Sequence, residues 1–347
     1  MATTIKEVAE AAGVSPATVS LVLNDRPGVG NDTRERIIEL AAKLGYPQRK
    51  NKAQIVSRPQ AFRFLRIIKH GHIINPNHRV FIADYIDGLE REAKTRNYRL
   101  EIHTHEGFDP ASILKTIDPA SFEGVVVLGT ELDEDDMEIF RSAQLPIVFI
   151  DTYHPYLGFD FVDMDNESSV YAVVEYLYQA GHRRIGIVKG SIETRNFRAR
   201  EKAFLDTMER FGLRFNSKDS FVIDSTFEKG REDMTRQLVG HEELPTALFC
   251  VNDIIAYGCA QALKERGCRI PDDVSLVGFD DLPSNGYMEP QLTSVKVSKK
   301  NIGRRAIQLL MDRIENPKRP FEKVLVGGEL IIRKSVRRFG IEEGSSL

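Results

Sequence analysis

The chain has 347 residues, of which 41% are hydrophobic and 29% are charged, values typical of a soluble protein with two or three domains. Its net charge of -3 points to no particular partner, and its three cysteines, an odd number without CxxC spacing, argue against disulfides and structural zinc. The N-terminus MATTIKEVAEAAG lacks the apolar core of a signal peptide, and no run of about eighteen apolar residues occurs. We therefore expect a cytoplasmic protein without a membrane segment.

The charge is distributed unevenly along the chain. Residues 1–58 contain nine Lys and Arg against six Asp and Glu, a net charge of +3, so the remainder carries -6. Between Glu39 and Asp84 there is no acidic residue at all. A basic N-terminal segment on an acidic body predicts that this segment meets a polyanion such as DNA.

The first 23 residues predict two short helices. Thr4 and Glu7 have the spacing of a capping box, so a helix begins after Thr4 and ends at Gly13. Ser15 is then the N-cap of a second helix that begins at Pro16, where the missing N–H costs little. Its inward-facing residues share one side of the helix and are Val19, Val22 and Leu23.

A third helix is predicted from about Asp32 to Leu44, with Gly45 as its C-cap. Two short helices joined by a Gly-containing turn, with a third helix packed on them, are typical of a helix-turn-helix DNA-binding domain over residues 1–46. The alternative is a small helical bundle with no role in nucleic-acid binding.

Residues 47–61 form a basic linker, and beyond it apolar strands alternate with amphipathic helices. The predicted strands are 64–70, 124–129, 146–151, 184–190, 246–253 and 273–280. The predicted helices are Val80–Thr95, Ser168–Ala180, Arg198–Phe211 and Ile254–Arg266. This alternation predicts an α/β body of doubly wound parallel sheets covered on both faces, arranged as two lobes with a ligand in the crevice at the strand ends.

Polar residues follow several of these strands and should gather at one end of the lobes. They are Thr130, Asp151, Arg200, Asn252, Asp253, Asp280 and Asp281. Carboxylates, an amide and a guanidinium around one cleft suit a polyhydroxylated ligand. Each residue taken alone could equally be a helix cap or a loop acid, and we assign that role to Asp253.

Catalysis has little support in the sequence, which contains no GxSxG, Walker A, GxGxxG or HExxH motif. His103 and His105 would share one face of a strand, but a solvated strand end explains them better than a metal site. Glu131 and the acids at 133–136 are better explained as first-turn acids of a helix than as cation ligands. We expect neither an enzyme nor a bound cofactor.

The N-terminal stretch TIKEVAEAAGVSPATVSLVLN, followed by TRERIIELAAKLGY, resembles the DNA-binding domain of the lac repressor family of transcription regulators. The body adds VVVLG, VDMDN, GHRRIGIVKG, TALFCVNDIIAYG, VSLVGFDD, EPQLTSV and ELIIRKS in the family's order. The resemblance implies a helix-turn-helix domain, a hinge over residues 47–61, and a two-lobed, periplasmic-binding-protein-like body over 62–347 that forms a homodimer.

The resemblance also implies lobe boundaries and ligand contacts. Chain crossings near 161–162, 291–292 and 320–321 would give an N-lobe of 62–161 plus 292–320 and a C-lobe of 162–291 plus 321–340. Effector contacts map onto Asp151, Arg200, Asn252 and Asp280, with Phe81 over an apolar face of the ligand. In the family, Asn-Pro-Phe usually precedes the first-lobe helix at the cleft, whereas here Asn-Pro lies some residues earlier than expected, at 75–76.

For DNA, the resemblance implies that the second helix enters the major groove of a pseudo-palindromic operator and that two hinges meet in the minor groove. Ile55 falls at the minor-groove wedge position and Lys52 where alanine is usual. The predicted DNA-binding residues are Thr4, Ser15, Pro16, Ala17, Thr18, Ser20, Leu21, Asn24, Arg49, Lys50, Lys52 and Ile55, and Arg58 would add a phosphate contact.

The resemblance implies that the base-reading positions of the second helix are Pro16, Ala17 and Leu21, none of which can form a bidentate bond to a base. We therefore expect much of the discrimination to come from groove shape. The function expected is a DNA-binding repressor controlled by a sugar or sugar derivative, with Tyr153 or Tyr156 as further stacking candidates. The alternatives are a nucleobase effector, a periplasmic-type solute-binding protein and a sugar-processing enzyme.

Overall fold

In the computed structural model the chain forms two compact units, which divide between Arg58 and Pro59. The structure describes residues 3–23, 26, 28–44, 46, 60–71 and 79–339.

The described part of the first unit contains three helices, α1 (Ile5–Ala12), α2 (Pro16–Leu23) and α3 (Asn31–Lys43). The capping box predicted for α1 is present, because Thr4 accepts the Glu7 N–H and Glu7 accepts the Thr4 N–H. Gly13 ends α1 in the left-handed conformation, with φ of +66°. Helix α3 begins one residue before the predicted Asp32 and is capped by Leu44, while the predicted cap Gly45 lies outside the described residues.

The apolar faces of these helices meet in a small core of their own. Val19 and Val22 of α2 are buried in it, as predicted from their spacing, and Leu23 packs against its edge. The remaining buried members are Val8, Ala9, Ala12, Ile37 and Ala41. The helix-turn-helix geometry therefore follows from three short apolar stripes that exclude water only when packed together.

Over residues 60–71 and 79–339, the second unit forms two six-stranded sheets. The first lobe is built on β1 (Ala61–Ile68), β2 (Arg99–Glu106), β3 (Gly124–Leu128), β4 (Ile147–Ile150), β5 (Asp160–Met164) and β11 (Lys323–Val326), in the order β11-β5-β4-β3-β1-β2. The second lobe is built on β6 (Ile185–Gly190), β7 (Ser220–Ile223), β8 (Ala247–Cys250), β9 (Ser275–Asp280), β10 (Thr293–Lys296) and β12 (Glu329–Ile331), in the order β12-β10-β9-β8-β6-β7.

Among the described residues, the paired strands are parallel except β10 with β12, which is antiparallel. The helices of this unit are α4 (Arg79–Thr95), α5 (Pro110–Lys115), α6 (Glu134–Glu138), α7 (Asn166–Gln179), α8 (Arg195–Arg210), α9 (Phe227–Leu238), α10 (Asp253–Glu265) and α11 (Lys299–Glu315). Strands β3, β4, β8 and β9 are buried along their whole length, as expected for central strands of a doubly wound sheet.

The chain crosses between lobes later than the resemblance implied. Strand β5 forms hydrogen bonds with β4, so the first lobe extends to Met164 and does not end at residue 161 as predicted. Strand β10 forms hydrogen bonds with β9, so it belongs to the second lobe. The first-lobe segment that was predicted to begin at residue 292 therefore begins with α11, at Lys299. Strand β11 bonds to β5, so the chain stays in the first lobe through Val326 and crosses to the second lobe only before β12. Each crossing follows a strand because backbone pairing keeps a whole strand within one sheet.

Helix α11 packs closely against α4 on the first lobe. A Cβ atom added at Gly88 would lie 2.1 Å from the Lys300 carbonyl oxygen. One added at Gly303 would lie 2.5 Å from the Tyr85 carbonyl oxygen. Only glycine permits two helix backbones to approach so closely, so these residues fix α11 to α4 as one rigid element.

Candidate functional site

The exposed surface of helix α2 consists of small polar and apolar side chains, with no Lys, Arg, Asn or Gln among its residues. Pro16 and Ala17 are exposed, and Thr18, Ser20 and Leu21 are partly exposed. Ser15 is the N-cap, as predicted: its Oγ accepts the Thr18 N–H at 3.1 Å and lies 2.9 Å from the Thr18 hydroxyl. Of the other predicted DNA-contacting residues, Thr4 is the N-cap of α1. Asn24, Arg49, Lys50, Lys52 and Ile55 lie outside the described residues.

A cavity of about 430 Å³, counted with its open mouth, lies between the two lobes. We call it the interlobe cavity. All six residues predicted for the effector line it: Phe81, Thr130, Asp151, Arg200, Asn252 and Asp280. The sequence did not single out four further lining residues, Ile82, Thr194, Asn196 and Phe197. Strand ends from both sheets supply Thr130, Asp151, Asn252 and Asp280, because parallel strands direct their carboxyl ends to one edge. Helices α4 and α8, with the cap of α8, supply the remaining lining.

Asp151 follows β4 with a φ of +59° and is held by side chains of the first lobe. Tyr85 of α4 donates its hydroxyl to Asp151 Oδ1 at 2.9 Å, and the Thr130 hydroxyl donates to Oδ2. From the second lobe, Asn196 Nδ2 donates to the Asp151 carbonyl oxygen at 3.1 Å. Burial raises the pKa of Asp151 above its ordinary value, although these hydrogen bonds favour the carboxylate.

Arg200 is a buried guanidinium on α8, at the second-lobe side of the cavity. Its Nε donates to Asn166 Oδ1 at 2.9 Å, and its Nη1 donates to the Val251 carbonyl oxygen at 2.5 Å. Its Cζ lies 3.7 Å from the centre of the Phe279 ring. Burial lowers the pKa of Arg200, and the carboxylates of Asp280, Asp151 and Asp163 oppose that effect. The arginine is therefore held in one orientation beside the cavity.

Two polar atoms on the cavity wall have no hydrogen-bond partner among the described residues. Asn252 Oδ1 caps α10 by accepting the Ile255 N–H at 2.8 Å, which leaves Asn252 Nδ2 without a partner. Asp280 Oδ1 also lacks a hydrogen-bond partner, and it lies 3.8 Å from Arg200 Nη1. Burial raises the pKa of Asp280 to about 6. Because unpaired buried polar groups are costly, this donor and this acceptor are suited to a polar ligand.

Asp253 differs from the helix cap predicted for it. Asn252 is the cap, whereas Asp253 is fully buried and accepts three hydrogen bonds, from the Leu282 N–H at 2.7 Å, Asn285 Nδ2 at 2.8 Å and the Ser294 hydroxyl at 2.6 Å. It ties the loop after β9 to β10 and does not line the cavity. Periodicity shows where a helix begins, but not which of two adjacent polar residues turns inward.

Asp163 is a buried acid that sequence reasoning did not select. It is the fourth residue of β5, and its Oδ1 accepts the Met164 N–H at 2.9 Å and Asn196 Nδ2 at 3.4 Å. Its Oδ2 has no hydrogen-bond partner among the described residues. Burial, with the Asp151 carboxylate close by, raises the pKa of Asp163 to about 7. Asn196 could have been found from its place four residues before Arg200, on the same face of α8.

The other sequence candidates lie elsewhere. Tyr156 is 90% exposed and Tyr153 packs edge-on against Phe161, so neither forms part of the cavity wall. The acids at 133–136 begin α6, with Asp133 as its cap, as predicted. His103 and His105 have ring centres 6.4 Å apart on β2. Within the described ranges, no cluster of three or more His, Cys, Asp or Glu side chains could hold a metal ion, and no helix is long and apolar enough to cross a membrane.

Comparison with known proteins relates both units to regulators. Residues 4–48 match the family model described as bacterial regulatory proteins, lacI family, and residues 174–336 match a periplasmic binding protein-like domain. The chain is 33% identical over 343 residues to the HTH-type transcriptional repressor PurR of Haemophilus influenzae (strain KW20 / Rd), covering 96% of this chain and 98% of that protein. It is 31% identical over 339 residues to the HTH-type transcriptional repressor CytR of Escherichia coli (strain K12), covering 97% of each.

Two solved structures share the fold over the whole length. A transcriptional regulator CelR–cellobiose complex superposes with a TM-score of 0.72 at 23% identity, covering 96% of this chain and 99% of that one. The lac repressor dimer bound to operator and the anti-inducer ONPF superposes with a TM-score of 0.69 at 21% identity, covering 97% and 100%. The architecture of a helix-turn-helix domain and a two-lobed α/β body is thus shared with these regulators.

Proposed function

The chain belongs to the lacI family of bacterial regulatory proteins, and we propose that it represses transcription under the control of a sugar or sugar derivative bound in the interlobe cavity. DNA binding and repression follow from the family and from two repressors to which the chain is similar over nearly its whole length. A protein of this kind acts on chromosomal DNA, so we place it in the cytoplasm. The effector class is the part that depends on the cavity.

The effector proposal rests on a donor and an acceptor of the cavity wall that form no hydrogen bond with the described residues. Asn252 Nδ2 and Asp280 Oδ1 need a ligand that offers an acceptor and a donor, and a sugar hydroxyl group offers both. Phe81 and Phe197 supply apolar walls that match the C–H face of a sugar ring. An amide, a carboxylate and a guanidinium around two aromatic rings form a typical carbohydrate-binding set.

A nucleobase is the second candidate, because the same two phenylalanine rings could stack on a planar base. Isothermal titration calorimetry against pentoses, hexoses, disaccharides, purines and pyrimidines separates the two classes. Binding of sugars but not bases supports the proposal. Binding of bases alone would show that the effector is a nucleobase and not a carbohydrate.

For the DNA-bound state we propose a homodimer on a pseudo-palindromic operator, with each α2 in a major groove and the two linkers in the central minor groove. Arg49, Lys50, Lys52 and Arg58 would neutralise phosphates, so affinity should fall steeply as salt rises. Lobe movement on effector binding would shift the linkers, and the coupling between effector and DNA affinity is then reciprocal.

Gel shifts across a salt series test the DNA proposal, with DNA from the promoter region of the protein's own gene as probe. A matched chain truncated before Gln60 is the control for binding by the body. Binding by the full chain that weakens with salt, and no binding by the truncated chain, supports the proposal. Absence of binding, or binding insensitive to salt, would instead favour a periplasmic-type solute-binding protein.

A further inference from the structure

Lys299 is a buried lysine in a place that disfavours a cation. It is the first residue of α11, where the helix dipole is positive, and its side chain is only 6% exposed. Burying an ammonium away from water also costs free energy unless it is bonded. A lysine kept at such a position must make contacts that offset both costs.

Its ammonium contacts both sides of the interlobe cavity. Lys299 Nζ donates to the main-chain oxygen of Asp280 at 2.7 Å and lies 4.8 Å from the centre of the Phe81 ring. Asp280 ends β9 in the second lobe, with a φ of +111° that a non-glycine residue rarely adopts. Phe81 lies at the start of α4 in the first lobe. A hydrogen bond to the Asp280 carbonyl oxygen stabilises this turn and directs its carboxyl group at the cavity.

The helix that carries Lys299 has little freedom to move. The close approaches at Gly88 and Gly303 lock α11 onto α4, so Lys299 and Phe81 belong to one rigid body. Asp280 belongs to the other lobe. The bond between Lys299 and Asp280 therefore joins the two lobes beside the point where the chain crosses between them, since Lys296 of β10 pairs with Asp280 in the sheet.

We propose that Lys299 is a positioning residue for effector binding, one that holds the Asp280 turn against the Phe81 wall and thereby sets the geometry of the interlobe cavity. The inference rests on the proposed effector site. The carboxylates that face the ammonium are those of Asp280 and Asp151, and it stabilises the ionised form of both. Removing it should leave these carboxyl groups harder to ionise and the Asp280 turn less well held.

The first test needs no effector. The full chain labelled with ¹³Cγ-aspartate is titrated by NMR as wild type, Lys299→Met, Lys299→Arg and Lys300→Met, with the Asp280 signal assigned from Asp280→Asn. Lys300 is the matched control, an exposed neighbour that pairs with Asp84 and Asp87. In Lys299→Met the pKa of Asp280 should rise by about one pH unit, as expected on losing an adjacent cation. Lys299→Arg and Lys300→Met should keep the wild-type value.

The second test measures binding by calorimetry, with D-ribose, D-glucose, cellobiose and adenine as probes. A probe that binds wild type should bind Lys299→Met about tenfold more weakly and Lys300→Met equally well. If no probe binds wild type while the Asp280 titration shifts as expected, the positioning role stands and these effector classes lose their support. If Lys299→Met lowers only the melting temperature, with the Asp280 titration and probe affinity unchanged, Lys299 is a packing residue and the proposal is overturned.

Discussion

Replacing Asp163 with asparagine should stabilise the protein, and the gain should grow with pH. The native pKa of Asp163 is raised to about 7 from an ordinary value of 3.8, because the carboxyl group is buried beside Asp151. Between these two values the native state binds a proton that the unfolded chain has lost, so wild-type stability falls as pH rises through this window. At about 1.36 kcal/mol per pH unit, the loss is roughly 4 kcal/mol by pH 7 and does not increase above it.

Asparagine has the same shape and carries no charge. Its side-chain oxygen can still accept the Met164 N–H and the Asn196 amide that Asp163 Oδ1 accepts. The assay is urea unfolding of wild type and Asp163→Asn between pH 4 and pH 9. The free energies of unfolding should agree at pH 4 and diverge in favour of the variant up to pH 7. A difference that does not change with pH, or a variant that is less stable at pH 8, would refute the reasoning.

Three further changes test the DNA surface, the cavity and the fold. Leu21→Ala should alter preference at one base pair per half-site in a randomised-operator selection, whereas an equal loss on all sequences would make Leu21 a packing residue. Arg200→Met should weaken effector binding at least about a hundredfold by calorimetry, while Arg198→Met, on the exposed side of the same helix, should not. Gly88→Ala should destabilise the body by roughly 3 kcal/mol or more in urea unfolding, against little change for Gly286→Ala, which has open space around it.

The sequence was sufficient to predict the polar residues that line the cavity, but not the buried side chains that hold them in place. Asp151 and Asp280 were predicted because each follows an apolar run, and parallel strands bring such ends together. Tyr85 was missed because it lies inside a helix, where a single polar residue gives no periodic signal. Asn196 was missed although its spacing of four residues from Arg200 places both on one face of α8. Asp163 was missed for a stronger reason: acidic residues are rarely buried without a partner, so a strand pattern predicts no such carboxyl group.

The lobe boundaries show a different limit. Strand β10 is the four-residue segment TSVK, whose composition does not indicate a sheet, and its pairing with β9 and β12 assigns it to the second lobe. Strand β11 likewise joins the first sheet only because β5 offers its free edge. Sheet membership is set by tertiary pairing between segments far apart in sequence, which periodicity within one segment does not contain.

The lack of basic and amide side chains on α2 affects how an effector could control this repressor. A good bidentate side chain contributes about 1–3 kcal/mol of discrimination per base pair, and Pro16, Ala17 and Leu21 offer none. Discrimination must then depend more on the deformability of the operator, above all where the two linkers would enter the minor groove. The linkers are also the elements that lobe movement would displace. We therefore expect the effector to change which sequences are bound as well as how tightly, because the element it moves is the one on which sequence selection depends most.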